Sequence, residues 1–495
     1  MHKYALLLLL FSSITSISQN CNNTLSGKVT DHHDGSLLAG ATLTIVGSEQ
    51  TVLTTTKGEY SFSNLCGETY NIQVSHPFCM TQGFTVVVSG DVTENFKLEH
   101  HIEELNQITI KGKNYSSKSK TILQNTLSKK ELERFSNKTL GDALNSLSGV
   151  SSLNTGSTII KPMINGLHSS RVVIINNGVR MEDQEWGSEH APNIDINTIG
   201  NLSLIKGASA LQYSGDAIGG VIISEVPKIA LKDSIYGKTL LTSATNGRGA
   251  SISTQLTKSN QKGWYTSLLG TLKRFGDFEA PSYILSNTGI YEQNASIDVG
   301  YKNYDYGFSA YYSLFKNEIG ILRASHLGGA EDQDRALSSN IPLIINEFTY
   351  KINEPKQDIS HHLARIKGFK RIDKLGKINF QYDYQKNNRL EFDIRRGDDS
   401  DKASLDLELS THTILVDIAS RFTNSTQFKT GIMARFQENF ADPSTGVRRL
   451  IPDYTKYDMG IYSILDYQLN DHWLLEVGGR FDYTYMNVFK FYRTS

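Results

Sequence analysis

At 495 residues the chain is longer than one ordinary domain, and a rule of thumb of ~150 residues each points to about three. With 50 Lys and Arg against 51 Asp and Glu there is no basic face in bulk and no acidic tail, which sets nucleic-acid binding aside. Many glycines (40), few prolines (9) and 24 tyrosines favour antiparallel β-structure with tight turns.

The first 18 residues read as a signal peptide. His2 and Lys3 open it, "ALLLLLF" is apolar but too short to span a bilayer as a helix, and Ser16-Ile17-Ser18 offers small residues for cleavage. Export makes the three cysteines informative: Cys21, Cys66 and Cys79 allow one disulfide and a remainder, and the spacing does not choose the pair. Residues 24–99 alternate in short runs ("ATLTIV", "EYSFSNL", "YNIQVSH") divided by "HDGS", "TKGE" and "LCGE", the pattern of a small β-sandwich. The segment resembles the carboxypeptidase-regulatory-like domain. An H-x-x-E follows at His100 and Glu103, but it stands in a polar linker without a helix or catalytic fold around it, so it is not read as a zinc site.

Residues 103–112, "EELNQITIKG", contain a lone β-prone run, Leu105, Asn106, Gln107, Ile108, Thr109 and Ile110, before a polar linker at 113–122. A strand without a sheet seeks an edge to pair with. Beyond it, "TLGDALNSLSGV" places Leu140, Ala143, Leu144 and Leu147 at helical spacing with Gly149 as a stop. "RVVIINNGVRMED" is a hairpin signal, since an Asn-Gly turn supplies positive φ. "NLSLIKGASALQYSGDAIGGVIISEV" reads as a strand, a small-residue helical turn and a returning strand. These motifs, in this order over residues 123–228, resemble the plug domain of TonB-dependent outer-membrane receptors. The resemblance implies that residues 103–112 are a TonB box, which adds as a strand to the sheet of a TonB-type energy-transducing protein in the periplasm.

From 235 to 495 the chain offers eleven candidate strands: 236–245, 249–258, 263–275, 290–301, 306–317, 360–371, 377–391, 408–422, 427–440, 457–468 and 473–487. Their expected length is that of tilted transmembrane strands, ~9–11 residues, with short periplasmic turns alternating with long outer loops. Alternation is imperfect: Tyr306, Phe308, Ala310, Tyr312 and Leu314 share a face, but Tyr311 and Phe315 fall on the other. Single-chain bacterial barrels have even strand numbers, ~22 in plugged transporters, so a partial antiparallel barrel and a C-terminally truncated receptor are expected. The fold class is therefore mainly β: sandwich, α/β plug and partial transmembrane barrel.

The loop "RMEDQEWGSEHAPNID" gathers Arg180, Glu182, Glu185, Trp186, Glu189 and His190 as candidate substrate contacts. Carboxylates and imidazole suit a metal chelate and the indole an organic ring. No metal-ligand spacing stands there, and His361 and His362, adjacent in a strand, point to opposite faces. No nucleophile elbow, phosphate loop or dinucleotide fingerprint occurs, so neither an enzyme nor a cofactor is expected. The resemblance implies an outer-membrane receptor, in contact with lipid, for energised uptake of a scarce nutrient: ferric siderophore, another metal complex, cobalamin or haem. A non-transporting surface binding protein and a glycan-uptake receptor are the alternatives.

Overall fold

The computed structural model describes residues 21–99 and 125–489, apart from positions 33, 34, 49, 77, 78, 156–158, 184–186, 188, 189, 326–328, 374, 396, 424, 471 and 472. The signal peptide, the H-x-x-E and the TonB-box segment lie outside the described residues.

Residues up to Thr109 form one compact unit and the rest of the chain a second. The first is a sandwich of two sheets. In one, Asn23–Asp31 lies between Glu59–Leu65 and the short strands Val92–Thr93 and Phe96–Leu98; the other runs in the order Thr51–Leu53, Thr42–Ile45, Thr69–His76, Cys79–Val87. The alternation seen in the sequence fills the space between them: Leu25, Val29, Leu43, Phe62, Ile72, Val74 and Phe96 are buried together. Cys21 and Cys66 are disulfide-bonded. Cys79 is buried outside that bond, its Sγ 3.7 Å from His76 Nδ1.

The second unit is a sheet wrapped around a plug. The plug sheet has five strands in the order Val179–Arg180, Val172–Asn176, Gly220–Glu225, Asn201–Ile205, Asn125–Ser128, with the second and third parallel. The helix is shorter than its apolar spacing predicts. It spans Leu140–Leu144, capped by a reciprocal Thr139 and Asp142 box, after which the chain turns to Gly149 at φ 78°. Leu147 is nonetheless buried with Leu140, Ala143 and Leu144, so the period marks a buried face that outlasts the helix.

All eleven expected strands form one antiparallel meander, from Ser234–Ala244 to Leu474–Phe489 in chain order. The later strands are longer than a bilayer demands: Lys356–Ile372 and Gly376–Phe392 have 17 residues each and Leu405–Thr423 has 19. The excess is explained by the outward faces. On Gly376–Phe392, Ile378, Phe380, Tyr382 and Tyr384 point out, and Lys386 follows, paired with Glu408 at 2.9 Å. Tyr384, His412, Phe436 and Tyr457 form a row with ring centroids 4.8, 6.3 and 5.0 Å apart in sequence. The apolar belt ends in an aromatic girdle, and the strands continue beyond it as polar wall.

The imperfect alternation has a physical cause. Tyr311 and Leu363 point inward and join the plug's own core with Ile174, Leu202 and Ile222. An inner face that meets protein rather than water accepts aromatic and aliphatic side chains, so period-two polarity fails there. His361 is buried on the inner face, while His362 faces out with its Nδ1 2.8 Å from the Tyr312 hydroxyl.

Candidate functional site

The hairpin Val172–Asn176 to Val179–Arg180 turns through Asn177 at φ 50° and Gly178 at φ 83°, with Asn176 opposite Val179. Both turn residues need the left-handed region, the chemistry that an Asn-Gly pair provides. Val179–Arg180 is one edge strand of the plug sheet, and its outer side is met by wall side chains. Gln381 donates to Gly178 O at 2.9 Å; Gln385 donates to Arg180 O at 2.9 Å and accepts from Glu182 N at 3.1 Å. Arg365 donates to both Asn177 O and Asn177 Oδ1.

A charged cluster continues from the hairpin. Arg180 meets Glu182 at 3.1 Å and Asp216 at 3.0 Å, and donates to Ser214 Oγ at 2.6 Å. Glu182 pairs with Arg435 of the wall and accepts from Gln437 at 3.2 Å; Arg435 also holds Asp458 at 2.7 Å. Burial pushes the Glu182 carboxyl up, but Arg435, Arg180 and Lys456 outweigh it and hold the group below its ordinary value. Eight residues on, His190 Nε2 lies 2.7 Å from Glu391 Oε1, near the outer end of its strand.

Of the six candidate contacts, Arg180, Glu182 and His190 are thus held against the wall or neighbouring plug residues, whereas Glu185, Trp186 and Glu189 lie outside the described residues. The wall partners Gln381, Gln385, Glu391, Arg365 and Arg435 were not singled out in sequence. A signal existed in "FQYDYQKNNRLEF", where Tyr382 and Tyr384 alternate with Gln381, Asp383, Gln385, Asn387 and Arg389, the polar-in pattern of a barrel strand. It marks a polar inner face without naming what that face touches.

Wall contacts run from the first strand of the sheet to the last: Lys238 pairs with Glu133 at 2.7 Å from the first strand, and from the last Glu476 accepts from Ser209 N at 2.8 Å and Arg480 donates to Leu211 O at 3.0 Å. The fold is therefore a plug held by a partial antiparallel β-barrel of the transmembrane kind. Residues 117–221 match the family model described as TonB-dependent Receptor Plug Domain, and residues 24–99 that described as Carboxypeptidase regulatory-like domain. Over 97 residues the chain is 30% identical to the Vitamin B12 transporter BtuB of Photobacterium profundum, a stretch that covers 19% of this chain and 16% of that protein. Among solved structures, the copper transporter OprC matches at 16% identity and TM-score 0.57 over 74% of this chain and 56% of its own. Ferric citrate transporter FecA in the unliganded form matches at 15% identity and TM-score 0.53 over 74% and 57%. The chain spans little more than half the length of these structures. Together these findings give the chain a TonB-dependent receptor plug domain and a carboxypeptidase-regulatory-like domain, and the fold of the plug and wall is that of the transporter structures it matches.

Proposed function

We propose that the chain is part of an exported receptor that takes up a scarce nutrient across the outer membrane, energised by a TonB-type protein that binds Leu105 to Ile110. The cargo is a ferric siderophore or other metal complex, cobalamin or haem. The observation that carries this reading is how the plug is held. It is fixed inside the wall by side-chain hydrogen bonds and ion pairs, a set of contacts that is reversible on pulling. The upstream segment leads into Asn125–Ser128, among the described residues an edge strand paired with Asn201–Ile205. Force on the TonB box therefore reaches the plug at one of its least supported strands. Of the candidate cargo contacts, Glu185, Trp186 and Glu189 fall in sequence between Glu182 and His190, and their carboxylates and indole would suit a metal chelate with an organic ring.

Pairing through β-augmentation uses the backbone, so Ile108→Pro removes a donor and distorts the strand. The expected result is loss of binding to the periplasmic partner and of uptake, with ligand binding intact. Unchanged affinity for the partner would refute the reading and favour a non-transporting surface binder. A cargo that proves to be an oligosaccharide would move it to glycan uptake.

A further inference from the structure

Against the loop that carries the candidate contacts lies a buried cation that takes no part in the latch. Lys161, in the strand Ile159–Ile164 and opposite Leu153, is 1% exposed. An ammonium is rarely buried so deeply, and it keeps its charge there only among hydrogen-bond acceptors. Its Nζ donates to Ser169 Oγ at 2.9 Å and to Gly187 O at 2.6 Å. Ser169 stands at φ 56°, a left-handed conformation that costs a serine energy and persists only where its surroundings fix it. One side chain thus ties together three segments: its own strand, the turn Ser169–Arg171 that opens into Val172–Asn176, and the loop beyond Arg180.

Gly187 is where this tie meets the wall. Its carbonyl also accepts from His190 N at 3.3 Å, so the ammonium and the amide share one oxygen. A Cβ at Gly187 would stand 2.9 Å from three atoms of the His190 ring, which leaves no room for a side chain while the ring keeps its place. That ring is buried, and its Nε2 reaches Glu391 of the wall at 2.7 Å. At the base of the loop Asp183 Oδ2 accepts from Asn193 N at 2.8 Å, both residues being buried. The loop is therefore held at its base by Asp183, at its middle by Lys161 and on the wall by His190. A loop fixed beforehand spares its ligand the entropy of ordering it.

We propose that Lys161 is a positioning residue for cargo: its buried ammonium sets the Gly187 carbonyl and, through it, the docking of His190 on Glu391. Glu185, Trp186 and Glu189 flank Gly187 in sequence. The proposal rests on the reading that they meet cargo, and adds the residue that holds their loop.

The test uses the protein purified from outer membranes in detergent, with diethyl pyrocarbonate as probe and the rate of carbethoxylation at His190, followed by peptide mass spectrometry, as readout. In wild type the buried ring is expected to react slowly. Lys161→Met keeps an unbranched side chain without the charge and is expected to speed the reaction at least about tenfold, the factor that follows from losing a hydrogen bond to a charged group. Lys161→Arg restores a cation and is expected to bring the rate back towards wild type. Ser169→Gly removes one acceptor and relieves the backbone, so it is expected to give an intermediate rate with the plug intact; it keeps the test decisive should Lys161→Met fail to fold. A wild-type rate in Lys161→Met or in Ser169→Gly would overturn the proposal. So would equal acceleration in the Met and Arg variants, which would make packing rather than charge the cause. These rates need neither cargo nor the periplasmic partner, so failure here leaves the uptake reading standing, and failure of the Ile108 test leaves the rates unaffected.

Discussion

Gln385 of the wall pairs with Arg180 of the plug as a neighbouring strand would. Its amide donates to Arg180 O at 2.9 Å and accepts from Glu182 N at 3.1 Å, so one side chain satisfies the open edge of Val179–Arg180. Sheet edges need such cover, and here it comes from a group that can let go when the plug moves.

Gln385→Leu is expected to leave both backbone groups unpaired at a partly buried site, weakening the docked plug by roughly 1–3 kcal/mol. Hydrogen exchange at the Glu182 amide should accelerate while amides of Gly220–Glu225, in the middle of the plug sheet, stay protected. Unchanged exchange at Glu182 would mean that the amide pairing contributes nothing.

Arg435 neutralises Glu182 and Asp458 together, and its side chain is 6% exposed. Removing one member of such a buried group typically costs ~3–5 kcal/mol, because the remaining charges stay desolvated. Arg435→Met should therefore loosen the plug more than the double variant Arg435→Met/Glu182→Met, and a double-mutant cycle read by protease sensitivity of the plug checks the difference.

Acid should open the same latch. The Glu182 carboxyl is held below its ordinary value, so its stabilisation is complete above the usual carboxylate pKa of ~4.3 and is lost as pH falls through the lower, docked-state value. Neutral and mildly acidic conditions leave the latch intact, and strong acid releases it. Glu182→Gln should flatten that acid limb in a pH titration of plug protection; an identical limb in the variant would assign it to other carboxylates.

Gly141 is the second residue of the capped helix Leu140–Leu144, beside the hairpin of Val150–Thr155 and Ile159–Ile164. A Cβ there would stand 2.5 Å from Ile160 Cγ2 and Ile160 O. Gly141→Ala ordinarily favours a helix, but overpacking of this kind costs ~1–3 kcal/mol, so net destabilisation of the plug is expected in thermal or urea melts. A stabilised variant would show that the helix shifts freely on the hairpin.

The Cys21 to Cys66 bond closes 45 residues of the sandwich. Its reduction should lower the stability of that unit by ~2–4 kcal/mol and leave plug melting unchanged. Cys79, buried, should react with maleimide only once the sandwich unfolds, which mass spectrometry of labelled protein follows.

The elements were largely legible in the sequence because their causes are local. An Asn-Gly pair selects its turn, alternation selects strands, and short turns against long loops give the meander its direction; the same signals drew the sandwich, the plug motifs and eleven strands. What the sequence did not disclose was contact between distant elements. Gln385 and Arg180 are separated by 205 residues and Arg435 and Glu182 by 253, and no period or motif links them. Tyr311 broke the barrel pattern because the inner face meets a protein core there, and the candidate contacts Arg180, Glu182 and His190 are engaged by the plug and wall around them. Local propensity decides which strands form. Only wrapping the sheet around the plug decides which charges neutralise one another.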